Sequence, residues 1–167
     1  MSTLKVGTIQ DHANSNTAIS IDSSGRTTFP QIPCFQAHTT NAAYITTSPI
    51  IFDTEDVDRG GIYNNSTGVF TAPINGIYKI DVQIYLRTDN GEDSGARLQK
   101  STNGGSNWSN IVYTYLYTTG VTQIHGVNTI SQIMNLNAND QLRVVKLGSG
   151  DYYAGPQETF FMGHLIG

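Results

Sequence analysis

Charge is scarce in this chain: Asp, Glu, Lys and Arg together make up 13% of its residues, against roughly 25% in an average globular protein. Solvation therefore has to come from Asn, Ser, Thr and backbone-rich Gly. Basic residues are few and scattered singly, and the net charge is −4, so there is no electrostatic footprint for DNA or RNA. There is one cysteine, Cys34, which excludes an intrachain disulfide and a cysteine-based zinc site. Its expected place is as a small buried hydrophobe in a strand. No apolar run approaches the ~20 residues of a membrane span. The opening Met1-Ser2-Thr3-Leu4-Lys5-Val6 lacks the apolar core of a secretory signal. The expectation is a chain made in the cytoplasm, with no membrane insertion, that reaches the outside of a cell by lysis or as part of a particle. The helix-filling residues Ala, Leu, Glu and Lys are also thin on the ground.

In their place stand 17 Gly, 9 Tyr and abundant Thr, a composition suited to strands and turns. Two parts are predicted. Residues 1–33 are polar, with a strand at Leu4 to Ile9. A hairpin follows in which Ala18 to Ile21 and Arg26 to Phe29 flank the turn Asp22-Ser23-Ser24-Gly25. This part has too few apolar residues for a core of its own. Residues 34–167 read as strands separated by turn signals, the pattern of a sandwich. In Gly76 to Leu86, Tyr78, Ile80, Val82, Ile84 and Leu86 share one face, and Lys79, Asp81 and Gln83 the other. Ala96–Lys100 and Trp108–Tyr117 predict a hairpin. Gln123–Leu136 and Gln141–Leu147 are two more strands joined at Asn137-Ala138-Asn139-Asp140. Thr159 to Ile166 closes the chain, and its apolarity predicts a position inside a sheet.

Several separated motifs in residues 34–167 resemble one family. Tyr63-Asn64-Asn65-Ser66-Thr67-Gly68-Val69-Phe70, followed by Ile74-Asn75-Gly76-Ile77-Tyr78, is similar to the signature of the globular head of complement C1q. Leu136 to Lys146 and the closing Thr159-Phe160-Phe161-Met162-Gly163-His164-Leu165-Ile166 resemble its later strands, and Phe35 and Ile51-Phe52-Asp53 its opening ones. The resemblance implies an all-β, ten-stranded jelly-roll sandwich of the C1q and tumour necrosis factor type, assembling as a homotrimer whose heads bind and do not catalyse. Secreted relatives carry a Gly-X-Y collagen stalk before the head, and this sequence has none. Its first 33 residues instead resemble N-terminal segments of bacteriophage fibre and other virion proteins.

Residues of chemical interest fall into three sets. Asp53, Glu55, Asp56 and Asp58 invite a calcium reading, because hard cations take clustered carboxylates. An EF-hand is excluded, since Asp58 occupies the glycine position and Asn64 the closing glutamate position; a solvated loop is the more ordinary reading. His12, His38, His125 and His164 never fall in metal-ligand spacing, although His125 and His164, both in strands, could meet. The aromatic set divides in two. Trp108, Tyr152 and Tyr153, closer to loop tips, are candidate contacts for a glycan. Tyr113, Tyr115 and Tyr117, alternating on one strand face, are candidates for packing between protomers. The triplets at Asn64, Asn65 and Asn107 read as turn chemistry. No nucleophile elbow or phosphate loop is present.

The leading expectation is a non-enzymatic trimeric virion protein, either a tail-fibre tip or a capsid decoration. Its N-terminus would anchor to other virion proteins, and its outward head would have access to host-surface glycans. The alternative is a free, lectin-like binding module.

Overall fold

The computed structural model describes residues 5–167 and divides into two compact units, 1–32 and 33–167. The first unit holds a three-stranded antiparallel sheet of β1 (Thr8–Gln10), β2 (Thr17–Ile21) and β3 (Thr27–Thr28). β1 is shorter than the predicted strand, whose first residue, Leu4, lies outside the described residues. The β2–β3 hairpin pairs Ser20 with Thr28 and Ile21 with Thr27. Its turn is built by Asp22, whose carboxylate accepts the backbone N–H groups of Ser24 and Arg26 and pairs with the Arg26 guanidinium at 2.7 Å. A second Asx turn at Asp11 takes the N–H groups of Ala13 and Asn14. These bonds hold both carboxyls below the usual carboxylate range. Side-chain hydrogen bonds thus shape a unit that has little apolar matter to bury.

The second unit is a sandwich of two antiparallel sheets. The larger contains β4 (Cys34–His38), β5 (Tyr44–Ile45), β6 (Thr54–Arg59), β9 (Gly76–Asp89), β12 (Gln123–Leu136), β14 (Asp151–Tyr153) and β15 (Phe160–Leu165). The smaller runs in the order β11 (Ser109–Tyr117), β10 (Asp93–Ser101), β13 (Gln141–Gly148), β8 (Val69–Thr71), β7 (Tyr63–Asn64). Of these twelve strands, β5 and β7 are two residues long, which leaves ten longer ones. The apolar final strand, β15, sits inside the larger sheet between β9 and β4. Among the described residues no helix is long and apolar enough to cross a membrane.

Period-two alternation delivers the core. Tyr78, Ile80, Val82, Ile84 and Leu86 on β9 are all buried, as are Leu98, Leu142 and Val144 from the smaller sheet. Between the sheets lies an aromatic cluster. Phe35 stacks on Tyr63 and Phe70 at centroid separations of 5.1 and 5.0 Å and meets Phe161 edge-on at 4.8 Å. Such pairs add to the free energy of area burial. Burial pushes the Tyr63 and Tyr78 phenols above their ordinary range, and their hydroxyls donate to the carbonyls of Phe52 and Ile74. Two motif glycines have a steric role. Gly68 turns with φ +71°, and a β-carbon there would lie 2.6 Å from the Ile50 carbonyl oxygen. A β-carbon on Gly163 would meet the Phe35 ring at 2.7 Å and Ile80 at 2.8 Å. The Asn64 triplet is a turn, with its side-chain oxygen accepting the N–H groups of Ser66 and Thr67.

Truncating Phe161, which is fully buried between Phe35 and Phe52, to Ala should destabilise the fold by about 3–5 kcal/mol. In urea titrations the midpoint should fall with the slope unchanged. An unaltered midpoint would mean that this cluster is not the centre of the core.

Candidate functional site

Two surfaces of the sandwich carry side chains that its own packing does not consume. The first is an edge. β11 ends the smaller sheet, and β12 pairs only with β9. The two strands lie side by side, stitched where the Asn128 amide donates to Thr114 Oγ1 (2.7 Å) and to the Tyr115 carbonyl (3.0 Å). Alternation turns Leu116 and Ile130 inward and sends the other set out. On β11 Tyr113, Tyr115 and Tyr117 are 59%, 47% and 63% exposed, and on β12 Val127 and Ile133 are 54% and 67% exposed. Tyr113 and Tyr115 meet edge-on at 5.1 Å. The tyrosines stand on the outward side of the smaller sheet, Tyr113 opposite Arg97, whereas Val127 and Ile133 stand on that of the larger sheet, opposite Tyr85 and Lys79. There Tyr85, Tyr44, Tyr153 and His125 form a second aromatic group, with Tyr44–Tyr153 at 5.1 Å and the Tyr44 hydroxyl 3.1 Å from His125 Nδ1. Arg87 lies 3.9 Å over the Tyr44 ring and forms a bidentate ion pair with Asp151.

The second surface is the outward face of the smaller sheet. Here the cross-strand register assembles Asn110, Gln99 and Arg143 into a ladder. Gln99 donates to Asn110 Oδ1 and accepts from Arg143 Nε, both at 2.9 Å. The Arg143 guanidinium stacks 4.1 Å from the Trp108 ring, and burial lowers its pKa from the ordinary arginine value. Arg97 stands on the same face, opposite Tyr113 and Val145, with its Nε buried and without a partner. The ion pairs among the described residues include neither arginine.

The predicted candidates distribute as follows. Trp108 immediately precedes β11 and is half-buried against Arg143 and Gly105. Tyr153 is half-buried in the outer aromatic group. Tyr152 is not at a loop tip. β14 pairs along β9, so alternation drives Tyr152 into the core at 0% exposure while Tyr153 faces out. Burial raises the Tyr152 phenol, whose oxygen lies 3.1 Å from Thr47 Oγ1. The acidic run forms β6 and its approach, and its members are spent separately. Asp53 accepts from the Thr40 N–H and hydroxyl, Asp56 pairs with His38 at 2.9 Å and takes a bond from Gln36, and Asp58 accepts from the N–H groups of Ile62 and Tyr63. Glu55 is exposed. Among the described residues no three His, Cys, Asp or Glu side chains converge as metal ligands. His125 and His164 do not meet, because they flank opposite ends of β9, beside Arg87 and Lys79. Cys34 is half-buried on β4 opposite His164, not in the core. Sequence reasoning did not single out Arg97, Arg143, Gln99 and Asn110. Each is unremarkable in its own strand, and only the register across β11, β10 and β13 makes them neighbours.

Against known proteins, residues 34–166 match the family model described as the C1q domain. Compared with curated protein sequences, the chain has no match. Solved structures share the fold. The Eiger TNF of S. frugiperda aligns with a TM-score of 0.64 at 12% identity, over 82% of this chain and 94% of that one. Murine APRIL at pH 5.0 aligns with a TM-score of 0.64 at 12% identity, over 81% and 99%. The globular domain of the zebrafish complement 1qA protein aligns with a TM-score of 0.60 at 15% identity, over 81% and 98%.

Because the three aspartates of the acidic run are committed to separate partners, neither millimolar calcium nor a chelator should shift the thermal midpoint. A ligand that binds only the folded state raises stability by about 2.7 kcal/mol at a hundredfold excess over Kd. A calcium-dependent rise of that size in a melting curve would refute the expectation.

Proposed function

The chain belongs to the C1q domain family, and from that membership we propose that it works as the homotrimeric, non-enzymatic head of a virion protein, tethered through residues 1–32. Domains of the C1q and tumour necrosis factor type are in general ligand-binding rather than catalytic and typically form homotrimers. The observation that carries the proposal is the apolar strip on β11 and β12. Three tyrosines on β11 and Val127 and Ile133 on the adjoining β12 are exposed along one flank, and exposed apolar groups gathered in this way mark an interaction surface. Two sister copies are the simplest partner, since closed symmetry covers every edge at once. Aromatic side chains are also the residues favoured at such interfaces. The candidate packing residues Tyr113, Tyr115 and Tyr117 belong to this surface.

The tether rests on different grounds. Residues 1–32 form their own small unit, in which Val6 and Ile9 remain exposed and backbone turns are held by Asp11 and Asp22. A segment with so little core gains stability by packing on something larger. Its likeness to phage virion segments points to another virion protein as that partner. The head then serves as a fibre tip or as a capsid decoration. A copy number in particles near that of the capsid subunit selects decoration, and a low one selects a fibre.

Light scattering of the full chain should give three times the chain mass. The double variant Tyr115→Asp, Ile133→Asp should give monomers with an unchanged circular dichroism spectrum, because both side chains point to solvent in the isolated protomer. Removing residues 1–32 keeps Pro33, whose carbonyl accepts the Leu165 N–H, and should leave a trimer that no longer joins the particle. A monomeric wild type refutes the first part. Normal incorporation of the truncated head refutes the second.

A further inference from the structure

We infer that the outward face of the smaller sheet binds an acidic polysaccharide, with Arg97 and Arg143 taking its carboxylates and the amide ladder its hydroxyls. The charge arrangement motivates this. Arg97 and Arg143 are diagonal neighbours, since Arg97 pairs with Val145 and Arg143 lies two residues along the same strand. That geometry puts their Cα atoms about 7–8 Å apart. Like charges on adjacent strands of one face repel, and in a chain so poor in ions the arrangement stands out. Among the described residues neither forms an ion pair with an acid. Asp93 is the only acidic residue in the strands of this sheet, and it sits at the far end, opposite Tyr117. Three other cations of the head are matched with acids: Lys79 with Asp81, Arg87 with Asp151, and Lys100 with Asp140.

Two further features favour an external anion. Arg97 is anchored at its base, because its Nε is buried, and none of the ion pairs among the described residues engages its guanidinium. Arg143 is already oriented. Trp108 packs on its flat face and Gln99 takes its Nε, so the guanidinium fork is held before any ligand binds. Trp108 is therefore a positioning residue. The surroundings select a sugar over other anions. Gln99, Asn110, Gln141 and Thr71 offer amides and a hydroxyl across neighbouring strands of one face, and donor–acceptor groups of this kind suit a chain of sugar hydroxyls. This inference assigns a ligand class to the outward head of the proposed virion protein.

The test uses the full-length protein and polygalacturonate as probe, by calorimetry, with dextran and inorganic polyphosphate as comparisons. Polygalacturonate should bind, dextran should not, and polyphosphate should bind more weakly. Arg97→Gln and Arg143→Gln should each weaken binding on the order of tenfold, with Arg143→Lys intermediate because charge remains while the bidentate fork is lost. Arg26→Gln, in the N-terminal unit, removes the same charge and should leave affinity unchanged. Circular dichroism and mass of each variant report folding and assembly. Dextran binding as tightly as polygalacturonate, or an equal loss in Arg26→Gln, overturns the assignment to this face. Polyphosphate binding as tightly or tighter overturns the choice of saccharide. Because the assay needs no particle, a head that binds polygalacturonate but never joins a virion sinks only the virion proposal.

Discussion

Strand β9 is the seam on which the sandwich depends. Its inward side chains, from Tyr78 to Leu86, are at most 1% exposed, and both of its edges are occupied. β12 pairs along its whole length on one side, while β15 and then β14 share the other. One fourteen-residue segment therefore fixes the register of three later strands. Because the side-chain period is two, a slip of a single residue would expose five large apolar groups and bury Lys79, Asp81 and Arg87. Asp81 shows how the outward side accommodates its half-burial. Desolvation raises its pKa, but bonds from Lys79 and Ser131 and the nearby lysine charge outweigh that and leave the carboxyl below its usual range. This ion pair contributes above the ordinary aspartate pKa and its contribution fades as the pH falls through the depressed value.

That dependence explains what was legible beforehand. Alternation within a strand is a local property, so β9, β12, β13 and the β10–β11 hairpin could be read with boundaries close to those observed. The apolar run Phe160-Phe161-Met162 similarly announced an internal strand. Properties set between strands were not legible. Tyr152 sits between a glycine-rich loop and Tyr153, and sequence cannot say which of the two tyrosines faces inward until β14 pairs with β9. The acidic run looked like a cluster because its members are adjacent in the chain. Extended backbone points alternate residues to opposite sides, and separate local partners for Asp53, Asp56 and Asp58 do the rest. Arg97 and Arg143 are the converse case, far apart in sequence and adjacent only through the register of β10 with β13.

The exposed strip and the sheet edges coincide, and that coincidence has a physical reading. An edge strand presents unpaired backbone donors and acceptors as well as side chains, and proteins blunt such edges with charge, proline, bulges or cover. Here β11 and β12 bring two edges together along one flank. Neither strand contains Pro, Lys, Arg, Asp or Glu. β11 has one irregularity, where its register against β10 shifts between Leu98 and Gln99. A flank so long and so free of charge is a hazard in a monomer. It becomes an advantage once sister copies cover it.

The same scarcity of charge that suits β11 and β12 to self-association gives the remaining charges more weight. On an ion-rich surface two arginines would be screened by neighbouring acids and would carry little information. On this head nearly every cation has an acid or a backbone oxygen beside it, and the face of the smaller sheet is the place where that matching lapses. The lapse is organised rather than loose, for Trp108 and Gln99 restrain one guanidinium and burial of Nε restrains the other. Order at an uncompensated charge costs conformational entropy and repulsion together, and the folded sandwich carries both on a surface where a polar neutral residue would carry neither.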